Sequence, residues 1–121
     1  MSTRKSPKVT ELCKLVINAL EDLKAFDIKT LNVRKLTSIT DRMIIASGNS
    51  SRQVSALADK VIEASRERGI RPLGVEGILD GDWALIDLGD VIVHIMRPAI
   101  RDYYQLEKLW SVKKSGKKTT G

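Results

Sequence analysis

Apolar residues near the start of the chain recur at helical spacing. Val9, Leu12, Cys13, Val16, Ile17, Leu20 and Leu23 form one stripe, and Ser6-Pro7 ahead of them has the form of an N-cap with proline in the first turn. Cys13 lies in that stripe and reads as a small hydrophobe, not a nucleophile. Residues 27–33 read as a strand, followed by a Lys/Thr/Ser loop, and 43–46 as a short buried strand ending at Gly48. Ser50 and Gln53 have the spacing of a capping box, each side chain meeting one orphaned backbone N–H. Val54, Leu57, Ala58, Val61, Ile62 and Ser65 then form the buried stripe of a second helix, with Gly69 suited to its C-cap. A strand over 73–75 and a polar turn over 79–82 lead to the strongest strand signal, a hairpin of 83–88 and 91–96 around Gly89-Asp90. Pro98 interrupts the second strand, and 99–110 is predicted to be one last helix. The order α-β-β-α-β-β-β-α predicts a single α/β domain with a mixed β-sheet and helices packed on it.

The charge pattern alters what the net value of +6 means. Residues 1–8 carry Arg4, Lys5 and Lys8 with no acid, and 113–121 carry Lys113, Lys114, Lys117 and Lys118 with none. Between them the body is slightly acidic. The picture is a folded domain over 9–112 between two flexible basic tails, 1–8 and 113–121, whose attraction for RNA is weak and non-specific. No apolar run reaches the ~18 residues of a membrane span, and MSTRKSPKV leads into no apolar signal region. A cytoplasmic protein with no membrane contact is expected. The single cysteine excludes an intrachain disulfide, and with one histidine it excludes a Cys/His zinc site within one chain.

Three groupings could carry catalysis, and each has a plainer reading. The turn Ser47-Gly48-Asn49-Ser50-Ser51 between a strand and a helix resembles the phosphate-binding turn of nucleotidyltransferases. The paired carboxylates that such enzymes need for metal are missing, because the matching distance falls on Ala58-Asp59-Lys60-Val61 inside a helix. Asp80, Asp82, Asp87 and Asp90 could gather a cation, yet they sit where turns favour Asp for backbone reasons. Asp87 and His94, on adjacent strands, could pair across the hairpin, but no nucleophile elbow accompanies them. A protein that is not an enzyme is expected, with no catalytic residues, no cofactor and no metal.

The remaining signal is aromatic. Both tryptophans and both tyrosines lie between 83 and 110, and on a continuous helix Ile100 and Tyr104 would share one side, with Tyr103, Leu106 and Trp110 on another. Such a helix cannot bury every side, so part of it is expected at an interface.

At these residues the chain resembles a known family. Gly48-Asn49-Ser50-Ser51-Arg52-Gln53, Gly74-Val75-Glu76-Gly77, Asp82-Trp83, Asp87-Leu88-Gly89-Asp90-Val91-Ile92-Val93-His94 and Tyr104-Gln105-Leu106-Glu107-Lys108-Leu109-Trp110 together resemble the Iojap family, whose bacterial members are ribosomal silencing factors (RsfS). The likeness spans residues 9–112. It implies a nucleotidyltransferase-like α/β fold without catalytic acids. It also implies binding to the large ribosomal subunit through its protein fourteen, which blocks joining of the small subunit and represses translation when nutrients are scarce. Because relatives can dimerise, the resemblance also allows a homodimer. On this reading the contact surface is Trp83, His94, Arg101, Tyr103, Tyr104, Leu106, Glu107 and Trp110, with Glu107 pairing a basic side chain of the ribosomal protein. Asp41 and Arg52-Gln53 match the family pattern as well. A metal-dependent nucleotidyltransferase that has lost its signature and an RNA binder acting through the tails are the alternatives.

Overall fold

The computed structural model describes the backbone of residues 5–110 and the side chains of 9–110. Helix α1 (Lys5–Asp22) is followed by strands β1 (Phe26–Asn32) and β2 (Arg42–Ser47), helix α2 (Ser51–Glu67), strands β3 (Gly74–Glu76), β4 (Trp83–Asp87) and β5 (Val91–Met96), and helix α3 (Pro98–Tyr104). The predicted order is therefore observed. Most strand ends shift by a residue, and two helix boundaries differ in substance. Because α1 starts at Lys5, Ser6 and Pro7 lie inside its first turn instead of capping it. The predicted helix over 99–110 is broken at Gln105, and a separate helical turn covers 106–110. The Lys-rich segment 113–121 lies outside the described residues.

The five strands form one mixed sheet in the order β1-β2-β5-β4-β3. Its centre is the parallel pair β2 and β5, while β1, β4 and β3 are antiparallel to their neighbours. Alternation along the strands sends side chains to two cores, one on each face. On the first face, α1 and α2 cover Ile44, Ala46, Ala84, Ile86, Val91, Val93 and Ile95 with Leu12, Val16, Leu20, Val54, Leu57 and Val61. On the second, Met43, Ile45 and Met96 join Val33, and Ile100, Leu106 and Trp110 pack against them from the C-terminal segment. Each fully buried aliphatic side chain contributes roughly 1.5–3 kcal/mol, so the larger first core carries most of the stability. Cys13 packs at the margin of that core, half-buried, where burial pushes its thiol pKa up.

Helix α2 shows how local signals are met. Ser50 Oγ accepts from the Gln53 backbone N–H at 3.1 Å, as a capping box requires. The reciprocal bond differs from expectation: Gln53 Oε1 accepts from Asn49 N–H, and Gln53 Nε2 donates to the Leu23 carbonyl at 2.8 Å. One side chain thus caps α2 and also ties it to the chain leaving α1. At the other end, Gly69 takes φ 78° and Ile70 N–H returns to the Ser65 carbonyl at 2.9 Å, closing the helix as its glycine predicts.

The loop joining β3 to β4 is tightly braced. Gly77 has φ 76°, and a Cβ there would overlap the Trp83 carbonyl, while Ser55 Oγ donates to the Ile78 carbonyl. Gly77→Ala should therefore cost about 3 kcal/mol or more, combining left-handed strain with a backbone clash. Gly69→Ala meets the same left-handed strain in open space and should cost only about 1–2 kcal/mol. Urea unfolding of both variants checks the difference, and equal losses would show that the Trp83 strand gives way.

Candidate partner-docking face

The start of α3 is built by Pro98. Proline keeps the residue before it extended, and Arg97 adopts φ −70°, ψ 150° as the N-cap with no side-chain capping bond. The Arg97 guanidinium turns instead to Asp82, with Nε and Nη2 each 2.9 Å from Oδ1, and its backbone N–H donates to the Asp82 carbonyl at 3.1 Å. The residue before Trp83 is thereby joined to the base of α3.

The end of α3 is set by Gln105, whose backbone is left-handed at φ 48°, ψ 49°. Its N–H closes α3 on the Arg101 carbonyl at 2.8 Å, and its own carbonyl accepts from Lys108 and Leu109 N–H to begin the next turn. The change of direction has a chemical consequence. On a straight helix Arg101 and Glu107 would point to different sides. Here Arg101 Nε and Nη2 donate to the two Glu107 carboxylate oxygens at 2.8 and 3.1 Å, and Nη1 donates to Ser47 Oγ at 2.8 Å. Arg101 is buried, and Lys29 Nζ approaches Glu107 at 3.8 Å. The hydrogen bond from Arg101 holds the Glu107 carboxyl below its ordinary range, with the charges of Arg101 and Lys29 acting the same way against partial burial.

A second chain of contacts runs from the sheet to the surface. Trp83 Nε1 donates to His94 Nδ1 at 3.0 Å; the Trp83 ring lies 5.0 Å from Tyr104, and Tyr104 meets Tyr103 edge-on at 4.9 Å. Exposure rises along it, from buried His94 through half-buried Trp83 to Tyr104 at 54% and Tyr103 at 80%. Burial pushes the His94 pKa down to about 4. The imidazole is therefore neutral at pH 7, which leaves Nδ1 available as an acceptor.

The eight residues singled out in the sequence fall in one region with different roles. Tyr103 and Tyr104 face solvent; Leu106 and Trp110 turn inward onto the second core; His94, Arg101 and Glu107 are held within the fold. The break at Gln105 undoes the expected shared side of Tyr103, Leu106 and Trp110. Glu107 is engaged by Arg101, not poised alone for a partner's basic group. The Asp87–His94 pairing that adjacent strands would allow is not formed. Asp87 lies opposite Ile92 and its Oδ1 accepts from Gly89 N–H at 2.9 Å, whereas His94 takes the Trp83 indole. Among the described residues, no group of three or more His, Cys, Asp or Glu could hold a metal ion. Gln53 is a brace between helices, and Asp41 supports its loop by bonds through its backbone to Val33 and Asp90. Ser47 and Asp82 stood out in the sequence only as members of a phosphate-type turn and of a cation grouping, not as partners of Arg101 and Arg97; Arg97 before Pro98 carried a signal for a helix start, but none for its partner.

Two measurements test this network. Folded His94 resists protonation, so between roughly pH 6.5 and 4 the unfolded chain binds a proton that the native chain does not. Stability should fall as pH drops through that window, by on the order of 3 kcal/mol from this group, with protonation of Glu107 acting in the same direction at lower pH. Urea midpoints from pH 7 to 4 should show the decline, and His94→Gln should flatten it. Glu107→Arg should destabilise the protein by about 2–3 kcal/mol, since it leaves the buried Arg101 guanidinium facing another cation. A thermal melt identical to that of the unaltered chain would overturn this expectation.

A family model described as "Ribosomal silencing factor during starvation" matches residues 6–120. A Chromobacterium violaceum protein named ribosomal silencing factor RsfS is 50% identical over 88% of this chain and 88% of its own. A crystal structure of a protein from the same organism superposes with a TM-score of 0.84 at 51% identity, covering 85% of this chain and 86% of that one. A mouse protein named for mitochondrial assembly of the large ribosomal subunit is 29% identical over 82% of this chain and 45% of its own length.

Proposed function

The chain belongs to the family of ribosomal silencing factors, and on that premise we propose that it docks on the large ribosomal subunit, through the subunit's protein fourteen, and sterically blocks joining of the small subunit. Translation is thereby repressed when nutrients are limiting. The mouse relative's name supports the choice of the large subunit. The observation that carries the docking reading is the pair Tyr103 and Tyr104, which stand in solvent on a short helix whose two ends are fixed by ionic contacts.

A fixed aromatic pair suits recognition, because little side-chain freedom is lost when the partner arrives. Tyr103 and Tyr104 serve as the anchors and Trp83 as the floor beneath them. Leu106 and Trp110 seat the segment on the second core, and His94, Arg101 and Glu107 hold its posture. Blocking of this kind depends on occupancy and shape, so it needs no turnover, cofactor or metal. The site of action is the cytoplasm, where the ribosomes are. No helix among the described residues is long and apolar enough to cross a membrane. The basic tails add long-range attraction to the RNA-rich particle without choosing the contact point.

The test is a pull-down from lysate at moderate salt using the full chain. Free large subunits should be recovered and joined ribosomes should not. Tyr103→Ala combined with Tyr104→Asp should weaken recovery at least tenfold, which is about 1.4 kcal/mol or more. Both residues are substantially exposed, so the circular dichroism spectrum should be unchanged. Recovery of joined ribosomes, or undiminished binding by the double variant, would refute the proposal.

A further inference from the structure

An indole has one hydrogen-bond donor and no acceptor. In this protein the Trp83 donor is directed inward, to His94 Nδ1, although the ring is only half-buried and lies at the border of the docking face. We infer that His94 is a positioning residue for that face: by accepting the indole N–H it fixes the ring beneath Tyr104 and leaves Trp83 to be met by its ring surface alone. The inference rests on the docking reading for its role in binding, but its structural half stands apart from it.

Three observations support the assignment. His94 is placed by the sheet, lying on β5 opposite Leu85 of β4, so its imidazole has little freedom of its own. Trp83 lies opposite Met96, two residues farther along β5, and its indole reaches diagonally along one face of the hairpin to Nδ1. Tyr104 is then placed by Trp83, at 5.0 Å between ring centres, and Tyr103 by Tyr104. Orientation thus passes from a buried strand residue to a side chain that is 80% exposed, through three ring contacts. Leu85 and Ile92, half-buried on the same sheet face, extend the surface beside Trp83 as apolar contact without donors of their own.

The test compares His94→Leu, which keeps an aliphatic body and removes the acceptor, with His94→Gln, whose amide oxygen can still accept the indole N–H. Two readouts are followed: hydrogen exchange of the Trp83 indole N–H by nuclear magnetic resonance, and recovery of large subunits. His94→Leu should speed indole exchange and weaken subunit binding, each by about tenfold, as expected for loss of a buried hydrogen bond and the order it imposes. His94→Gln should hold both within about threefold of the unaltered protein. The inference is overturned if the leucine variant keeps slow exchange and full binding, or if the folded glutamine variant loses both as the leucine variant does. If neither variant folds, the intact protein still decides: imidazole nitrogen shifts at neutral pH should show Nδ1 unprotonated and Nε2 protonated, and the opposite tautomer would overturn it. Failure of the unaltered chain to recover large subunits would refute the docking proposal, while the indole and imidazole measurements would still test His94.

Discussion

A guanidinium placed inside a protein must have its charge and its donors met, and the C-terminal architecture of this molecule follows from that demand. Arg101 is buried against the end of β2, where Ser47 takes one donor; the remaining charge requires a carboxylate. The nearest acid on its own helix, Asp102, is exposed and on a different side. Glu107 meets the need only because the chain reverses at Gln105, a left-handed position that costs about 1–2 kcal/mol for a residue with a Cβ. The ion pair and the backbone strain are therefore two halves of one arrangement. It shortens α3, turns Leu106 and Trp110 onto the second core, and leaves the tyrosines outside.

The helical stripes of α1 and α2, the hairpin and the mixed sheet were legible in the sequence because each is a periodic or local signal. Gly69, Ser50 and Pro98 marked helix ends through backbone chemistry that does not depend on distant residues. The break at Gln105 was not legible. Glycine or asparagine would have announced a left-handed residue, but glutamine is an ordinary helix former, and the interaction that holds it lies six positions apart in the chain. The destination of the Gln53 side chain was hidden for a similar reason, since the spacing that suggests a capping box says nothing of the Leu23 carbonyl.

The candidate site was legible as a region more than as a set of roles. Aromatic enrichment pointed to this stretch, and the eight residues named from it do gather in one region of the fold. Exposure sorted them differently from expectation, because a charged or aromatic residue looks alike in sequence whether it meets a partner or braces a neighbour. Asp87 and His94 illustrate the point: adjacent strands made them candidates for one another, yet the register sets Asp87 against Ile92 and gives the imidazole to an indole.

The parallel pairing at the centre of the sheet bears on when this molecule can assemble. Arg42 is matched with Val91 and Ser47 with Met96, so the middle of the sheet closes only after a long intervening excursion through α2, β3 and β4. Such non-local pairing slows folding, since chain entropy is lost before the contacts that offset it are made. The segment that seals the second face comes later still in the order of the chain. During synthesis, α1, β1, β2 and α2 are made well before the residues that carry Tyr103 and Tyr104, so the second face of the sheet is covered only late in the assembly of the fold.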